Sequence, residues 1–230
     1  MTNSNKKPLI IWDFDGVIAD SEKLWVEIWR SLLKKLKNIV LTPEEELKLL
    51  VGVADATRKE TLQKYFPNLV LDDDFMHQIA KEEYYAGVHY MQPIPGVQEL
   101  FSDPMFDHCI ATGATAEQHA WKMTRFKWIE NYTKDYFTVD MVKQGKPAPD
   151  LFLLAAKSKH RQPSDCLVIE DSINGMIAAK KANIKCIAFV GAEGNNTPEY
   201  RKKCLYAGCI DVCETMPQLH QAIKNLFINK

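Results

Sequence analysis

The stretch Leu9-Ile-Ile-Trp-Asp-Phe-Asp-Gly16 decides how the rest of the chain is read. A short apolar run ends in Asp-Gly, a length that suits a strand buried on both faces better than a helix. In extended backbone, residues two apart point to the same side, so the carboxylates of Asp13 and Asp15 can face one ligand. Gly16 lets the chain turn sharply and brings backbone N–H groups toward an anion. Two close carboxylates repel each other when both are ionised, which favours a bound cation or one raised pKa.

Outward from this strand the pattern is helical. Leu24, Trp25, Ile28, Trp29, Leu32, Leu33 and Leu36 form a stripe at helical spacing. Thr42-Pro43 reads as an N-cap followed by proline at the first helical position. A further helix starts near Asp55 to Thr57, and another runs from about Asp72 to Gly87, its Asp72-Asp-Asp start favoured by the helix dipole. From Asp20 to about Tyr90 the chain reads as helices only. Pro93-Ile-Pro-Gly96 then breaks the block. Beyond it, the apolar runs Cys109-Ile-Ala, Tyr136-Phe-Thr-Val, Cys166-Leu-Val-Ile and Cys186-Ile-Ala-Phe-Val alternate with helical stretches such as 149–159 and 173–183. Such alternation predicts a parallel sheet with helices on both faces. The helical block interrupts it after the first strand. The expected organisation is therefore an α/β core over 1–19 and 92–230, with 20–91 inserted as a helical cap over the sheet's carboxyl edge, where ligands bind in open α/β sheets.

Three more polar signals fall where side chains could converge on that edge. Thr112-Gly113 follows the strand at Cys109 and supplies a hydroxyl and an unobstructed amide. Lys146, before Pro147, stands at a helix start. Glu170-Asp171 places two carboxylates at a strand tip. With Asp13 and Asp15 these make a phosphoryl-transfer set: carboxylates for a hard cation, Lys and Thr for phosphoryl oxygens, and one carboxylate left as nucleophile.

Composition narrows the partners. The formal net charge is −1, with 29 Lys+Arg against 30 Asp+Glu. That balance argues against a broad basic face for nucleic acid or an anionic membrane. No apolar run approaches the roughly 20 residues that span a bilayer. The polar N-terminus does not read as a signal peptide, and a reduced, cytoplasmic protein is expected. The Asn-x-Thr matches at Asn131 and Asn195 then carry no weight. Three of the six cysteines lie in strand-like runs, and C-x₄-C-x₃-C from Cys204 to Cys213 lacks the paired spacing of zinc modules.

The motifs resemble those of haloacid dehalogenase superfamily phosphatases over nearly the whole chain. Asp13 to Glu22 resembles the first motif, Ile110-Ala-Thr-Gly113 the second, Lys146-Pro-Ala-Pro-Asp150 the third and Val168-Ile-Glu-Asp-Ser-Ile-Asn-Gly175 the fourth. The resemblance implies a Rossmann-like core and a cap of the first type. It implies that Asp13 attacks phosphorus to form an aspartyl-phosphate, and that Asp15 protonates the leaving oxygen and then deprotonates water. Thr112 and Lys146 would hold the transferring group, with Gly16 and Gly113 lining it. Mg²⁺ would sit between the Asp13 carboxylate, the Asp15 backbone carbonyl and the Asp171 carboxylate, with Glu170 as a further contact. The expected substrate is a small phosphorylated metabolite. Asp at position 15 favours phosphatase or phosphomutase chemistry over dehalogenase, phosphonate hydrolase or transport ATPase. A β-phosphoglucomutase-like mutase shares all four motifs, and a non-catalytic phosphate-binding protein is the alternative from another class.

The cap signals are less specific. Thr57-Arg58 resembles a β-phosphoglucomutase cap motif, though its spacing from Gly52 is longer. Arg58 either grips a substrate carboxylate or second phosphate, or is a solvated helix-start arginine. Gly52 supplies the turn that lets this loop reach the core. Trp25 and Trp29 read as helix packing, with substrate stacking by Trp25 as the alternative. Trp25 stands where the mutases it resembles carry a His.

Overall fold

The computed structural model describes residues 6–51, 53, 55–192 and 196–227; Gly52 and Asn195 lie outside them. Strand β1 (Leu9–Trp12) enters first, and a two-residue strand β2 (Ala19–Asp20) leads out to four helices: α1 (Glu22–Lys37), α2 (Pro43–Leu49), α3 (Asp55–Tyr65) and α4 (Asp73–His89). The chain returns through β3 (Gln92–Pro93) and then alternates: α5 (Val97–Phe101), β4 (Asp107–Ala111), α6 (Ala116–Lys122), β5 (Tyr136–Phe137), α7 (Asp150–Ser158), β6 (Cys166–Glu170), α8 (Ile173–Lys181), β7 (Lys185–Phe189), α9 (Pro198–Ala207), β8 (Asp211–Cys213) and α10 (Met216–Phe227).

Six strands form one sheet in the order β5-β4-β1-β6-β7-β8, and every neighbouring pair is parallel. The alternation of side chains explains why β1 is apolar throughout. Ile10 and Trp12 join Ile110, Leu167, Ile169 and Phe189 on the face covered by α5 and α10. Leu9 and Ile11 join Cys109, Val168, Cys186 and Ala188 on the face covered by α7 and α8. Both faces are closed to water, and burial of Leu9, Ile10 and Ile11 contributes about 1.5–3 kcal/mol each.

The four helices between β2 and β3 have their own apolar cluster, built on Trp29, Leu33, Leu62, Leu71 and Phe75. Their starts follow the local chemistry. Thr42 Oγ1 accepts from the Glu45 N–H, and the Glu45 carboxylate accepts from the Thr42 N–H, a closed capping box ahead of Pro43. Asp72 caps α4 by accepting from the Phe75 N–H at 2.9 Å and pairs with Lys37. Asn38, at φ +54°, ends α1 in the left-handed conformation.

The architecture is the expected parallel sheet with an inserted helical cap, and three details differ. The excursion is not purely helical: β2 and β3 pair antiparallel, Ala19 with Pro93 and Asp20 with Gln92. The ribbon departs from the expected helix at Asp20 and breaker at Pro93 because two residues are too few to show a periodicity in sequence. The strand at Tyr136 is only two residues long, since the chain enters a 3₁₀ turn at Val139. Lys146 stands in the loop before α7, not at its start; the helix begins at Asp150 and the Lys146–Pro147 bond is cis.

Candidate active site

The strands bordering β1 are β4 and β6, so chain order reverses direction across β1, and their carboxyl ends open into one crevice. Asp13 follows β1, and its N–H donates to the Ile169 carbonyl of β6 at 2.9 Å. Thr112 follows β4, with its N–H on the Phe137 carbonyl at 3.0 Å. Glu170 ends β6 and Asp171 comes next. Sheet register alone therefore brings three of the four sequence signals together.

Lys146 reaches them from its loop. Its ammonium donates to Asp13 Oδ1 at 2.7 Å and to Glu170 Oε1 at 2.5 Å. Glu170 is fully buried, and its other oxygen accepts from both the N–H and the hydroxyl of Ser172 at 2.8 Å. Ser172 Oγ in turn accepts from the Gly175 N–H, capping α8. Both Glu170 oxygens are thus engaged, and its main role here is to hold Lys146. Burial works against the charge on Lys146, but Asp13 and Glu170 keep its pKa above the ordinary lysine range.

The carboxylates respond differently. Burial lifts Asp13 to about 7 against the pull of Lys146, with Glu170 adding to the rise. Burial also holds Asp171 well above the carboxylate range, followed by the charges of Glu170 and Asp13. No ion pair reaches Asp171 among the described residues; its backbone carbonyl accepts from the Tyr200 hydroxyl at 2.6 Å. Carboxylate oxygens of Asp13, Glu170 and Asp171 lie within 4.8 Å of one another. All are hard oxygen donors. Gly16, at φ +75°, packs so closely on Asp171 that a Cβ there would overlap the carboxylate. Crowded, desolvated carboxylates of this kind fit a divalent cation such as Mg²⁺.

Asp15 does not join that cluster through its side chain. The turn after β1 folds back at once: the Gly16 N–H donates to the Ala19 carbonyl, and the Ile18 and Ala19 N–H groups to the Phe14 carbonyl. The two-apart rule for extended chain fails beyond Asp13, and Asp15 turns to Lys122 instead, 2.5 Å from Nζ to Oδ2. Lys122 escaped the sequence reading. It ends a short helix between Trp121 and Met123, where a lysine reads as solvated, yet it is 4 % exposed. The available signal was its position three residues after His119 on a helix whose Thr115 and Gln118 form a capping box.

Thr112 is 1 % exposed and its hydroxyl accepts from the Ala114 N–H at 3.1 Å, which leaves its O–H as a donor. Around Gly113 there is open space; a Cβ would meet nothing, so the glycine is not required there by packing.

In the cap, Arg58 is neither solvated nor extended toward the crevice. It is 1 % exposed, its guanidinium donates to the carbonyls of Leu50 at 3.3 Å and Val53 at 2.8 Å, and it lies over the Trp29 ring. In this conformation it ties α3 to the backbone of Leu50 and Val53. Trp25 and Trp29 are both buried, Trp29 against Phe75 in the cap cluster and Trp25 edge-on to Trp121 of the core.

Residues 10–189 match the family model of haloacid dehalogenase-like hydrolases, and the chain belongs to that family. Among curated proteins it is 28 % identical over 184 residues to a phosphorylated carbohydrates phosphatase of Thermotoga maritima, spanning 77 % of this chain and 82 % of that one. It is 30 % identical over 198 residues to a bifunctional riboflavin kinase/FMN phosphatase of Arabidopsis thaliana, spanning 82 % of this chain and 50 % of that one. Among solved structures, a haloacid dehalogenase-like protein of unknown function from Agrobacterium tumefaciens superposes with a TM-score of 0.84 at 22 % identity, over 96 % of this chain and 99 % of that one. The protein is therefore an enzyme of the haloacid dehalogenase-like hydrolase family. No described helix is long and apolar enough to cross a membrane.

Proposed function

We propose that the protein is a Mg²⁺-dependent phosphatase acting on a small phosphorylated metabolite through an aspartyl-phosphate, with a core over 1–19 and 92–230 and a cap over 20–91. The observation that carries this reading is the contact of Lys146 with Asp13 beside the Glu170–Asp171 carboxylates. Asp13 attacks phosphorus while Lys146 and the Thr112 hydroxyl neutralise the equatorial oxygens. The ester P–O bond breaks as Asp15 gives its proton to the leaving oxygen. In the second half Asp15 takes a proton from water, which attacks phosphorus and releases Asp13. Asp13, Asp171 and the Asp15 backbone carbonyl would hold Mg²⁺, which would supply positive charge to the transferring phosphoryl group.

Support for hydrolysis over phosphomutation comes from Trp25, whose indole N–H can donate but not accept a proton. A mutase must shield its phospho-enzyme from water until a sugar phosphate returns. The test is purified enzyme on a panel of phosphorylated metabolites, with and without Mg²⁺, together with Asp13→Asn. Mg²⁺-dependent phosphate release that falls by orders of magnitude in a folded Asp13→Asn variant is expected. Near-normal hydrolysis by that variant overturns the covalent route. Efficient conversion of β-glucose 1-phosphate to glucose 6-phosphate with little phosphate released overturns the phosphatase.

A further inference from the structure

Beside the crevice lies an ion pair that the phosphoryl-binding groups do not need. Lys122 is buried, and its ammonium stands within 6.0 Å of the centroids of three rings: Phe14, Trp25 and Trp121. Rings at that range stabilise an ammonium that has lost water, and they restrict where it can go. The rings come from both parts of the molecule. Phe14 and Trp121 belong to the core and Trp25 to α1 of the cap. Trp121 is pressed by α4 of the cap, where a Cβ on Gly87 would overlap its ring and Tyr84 packs edge-on at 5.8 Å.

Within this box Lys122 takes one oxygen of Asp15 only. Oδ2 receives the ammonium at 2.5 Å. Oδ1 is buried and has no hydrogen-bond partner among the described residues, an expensive arrangement for a carboxylate oxygen unless something else engages it. The two oxygens are therefore inequivalent, one clamped by Lys122 and one buried without a hydrogen-bond partner among the described residues.

We propose that Lys122 is the positioning residue for Asp15: by fixing Oδ2 it aims Oδ1 at the bridging oxygen of the substrate ester. The inference rests on the phosphatase reading above. In that reaction the proton passes from Asp15 Oδ1 to the leaving oxygen as the ester P–O bond breaks and the Asp13–phosphorus bond forms. Aim matters in proportion to how badly the leaving group needs the proton. An alkoxide needs it; a p-nitrophenolate hardly does.

The test compares kcat/KM for an alkyl phosphate from the substrate panel and for p-nitrophenyl phosphate, in wild type, Lys122→Met, Asp15→Asn and the double variant. Methionine fits an aromatic box, and a thermal melt checks that the variant is folded. Lys122→Met should lose about 100-fold on the alkyl ester and less than about tenfold on the aryl ester. The double variant should be no worse than Asp15→Asn alone, because the two residues act as one unit. Equal losses on both esters, or a Lys122→Met loss that adds fully to that of Asp15→Asn, overturns the proposal while leaving the phosphatase intact. Absence of phosphate release by the wild type from every ester overturns the functional reading, and this inference with it.

Discussion

Gly16 lies directly against the carboxylate of Asp171, with no room for a Cβ between them. A residue of the turn after β1 and a residue beyond the tip of β6 therefore share one van der Waals surface, and the carboxylate's place depends on a missing side chain. The glycine is also needed for its backbone, at φ +75°. Gly16→Ala should cost about 1–3 kcal/mol of stability through the left-handed backbone and the collision. It should also weaken Mg²⁺ binding roughly 10–100-fold, the scale expected when a neighbour of a ligand is disturbed. Titration calorimetry on the two proteins reads the second effect. Unchanged Mg²⁺ affinity would remove Asp171 from the cation site.

The raised carboxyls of Asp13 and Asp171 make metal-free stability depend on pH in a definite sense. In the folded state Asp13 keeps its proton to about 7, whereas in the unfolded chain a carboxyl releases it near 4. Folding therefore takes up protons in that window, and this contribution is fully present at low pH and lost as pH rises through about 7. With EDTA present, Asp171→Ala should be at least as stable as wild type near pH 7.5, because a desolvated carboxyl crowded by Glu170 and Asp13 is gone. Its Mg²⁺-induced rise in Tm should be much reduced. Melting curves in EDTA and in Mg²⁺ from pH 5 to 8 provide the check. A large loss of Tm for Asp171→Ala in EDTA would instead make Asp171 a structural residue.

His108 supplies a pH effect of opposite sign, away from the crevice. It accepts from Trp12 Nε1 at 3.1 Å through Nδ1, so it is neutral with its proton on Nε2, and it stacks on Phe101 at 4.7 Å. Burial pushes its pKa down to about 4. A depressed histidine contributes stability above the unfolded value near 6.5 and loses it as pH falls toward 4. The full span is worth about 3 kcal/mol. Urea unfolding of wild type and His108→Gln should show a stability gap that narrows as pH drops from 7 to 4.5. A gap constant with pH would mean that His108 titrates normally.

How far the sequence was legible varies with how local each feature is. Asp13, Thr112 and Glu170-Asp171 were legible because each ends an apolar run, and a parallel sheet must bring such ends to one edge. The starts of α2 and α4 were legible because Thr42 and Asp72 cap within three residues of themselves. Lys122 was not, since its burial depends on Trp25, which lies far away in sequence on a cap helix, and on a turn that redirects Asp15. The placement of Arg58 was not legible for the same reason: its acceptors are loop carbonyls, whose positions no periodicity encodes.

The ribbon formed by β2 and β3 has a consequence for how such a molecule can change. The outgoing and returning chains run side by side, Ala19 opposite Pro93, and the Ile94 N–H donates to the Ile18 carbonyl at 2.9 Å. Everything between them enters and leaves through adjacent doorposts, so its length is invisible to the sheet: β1 keeps its register with β4 and β6 whether residues 21–91 intervene or a tight turn. The helical block is in this sense a cassette bounded by Asp20 and Gln92. What a change to it must respect is the small seam where Trp25, Ala86 and Met91 pack into the core.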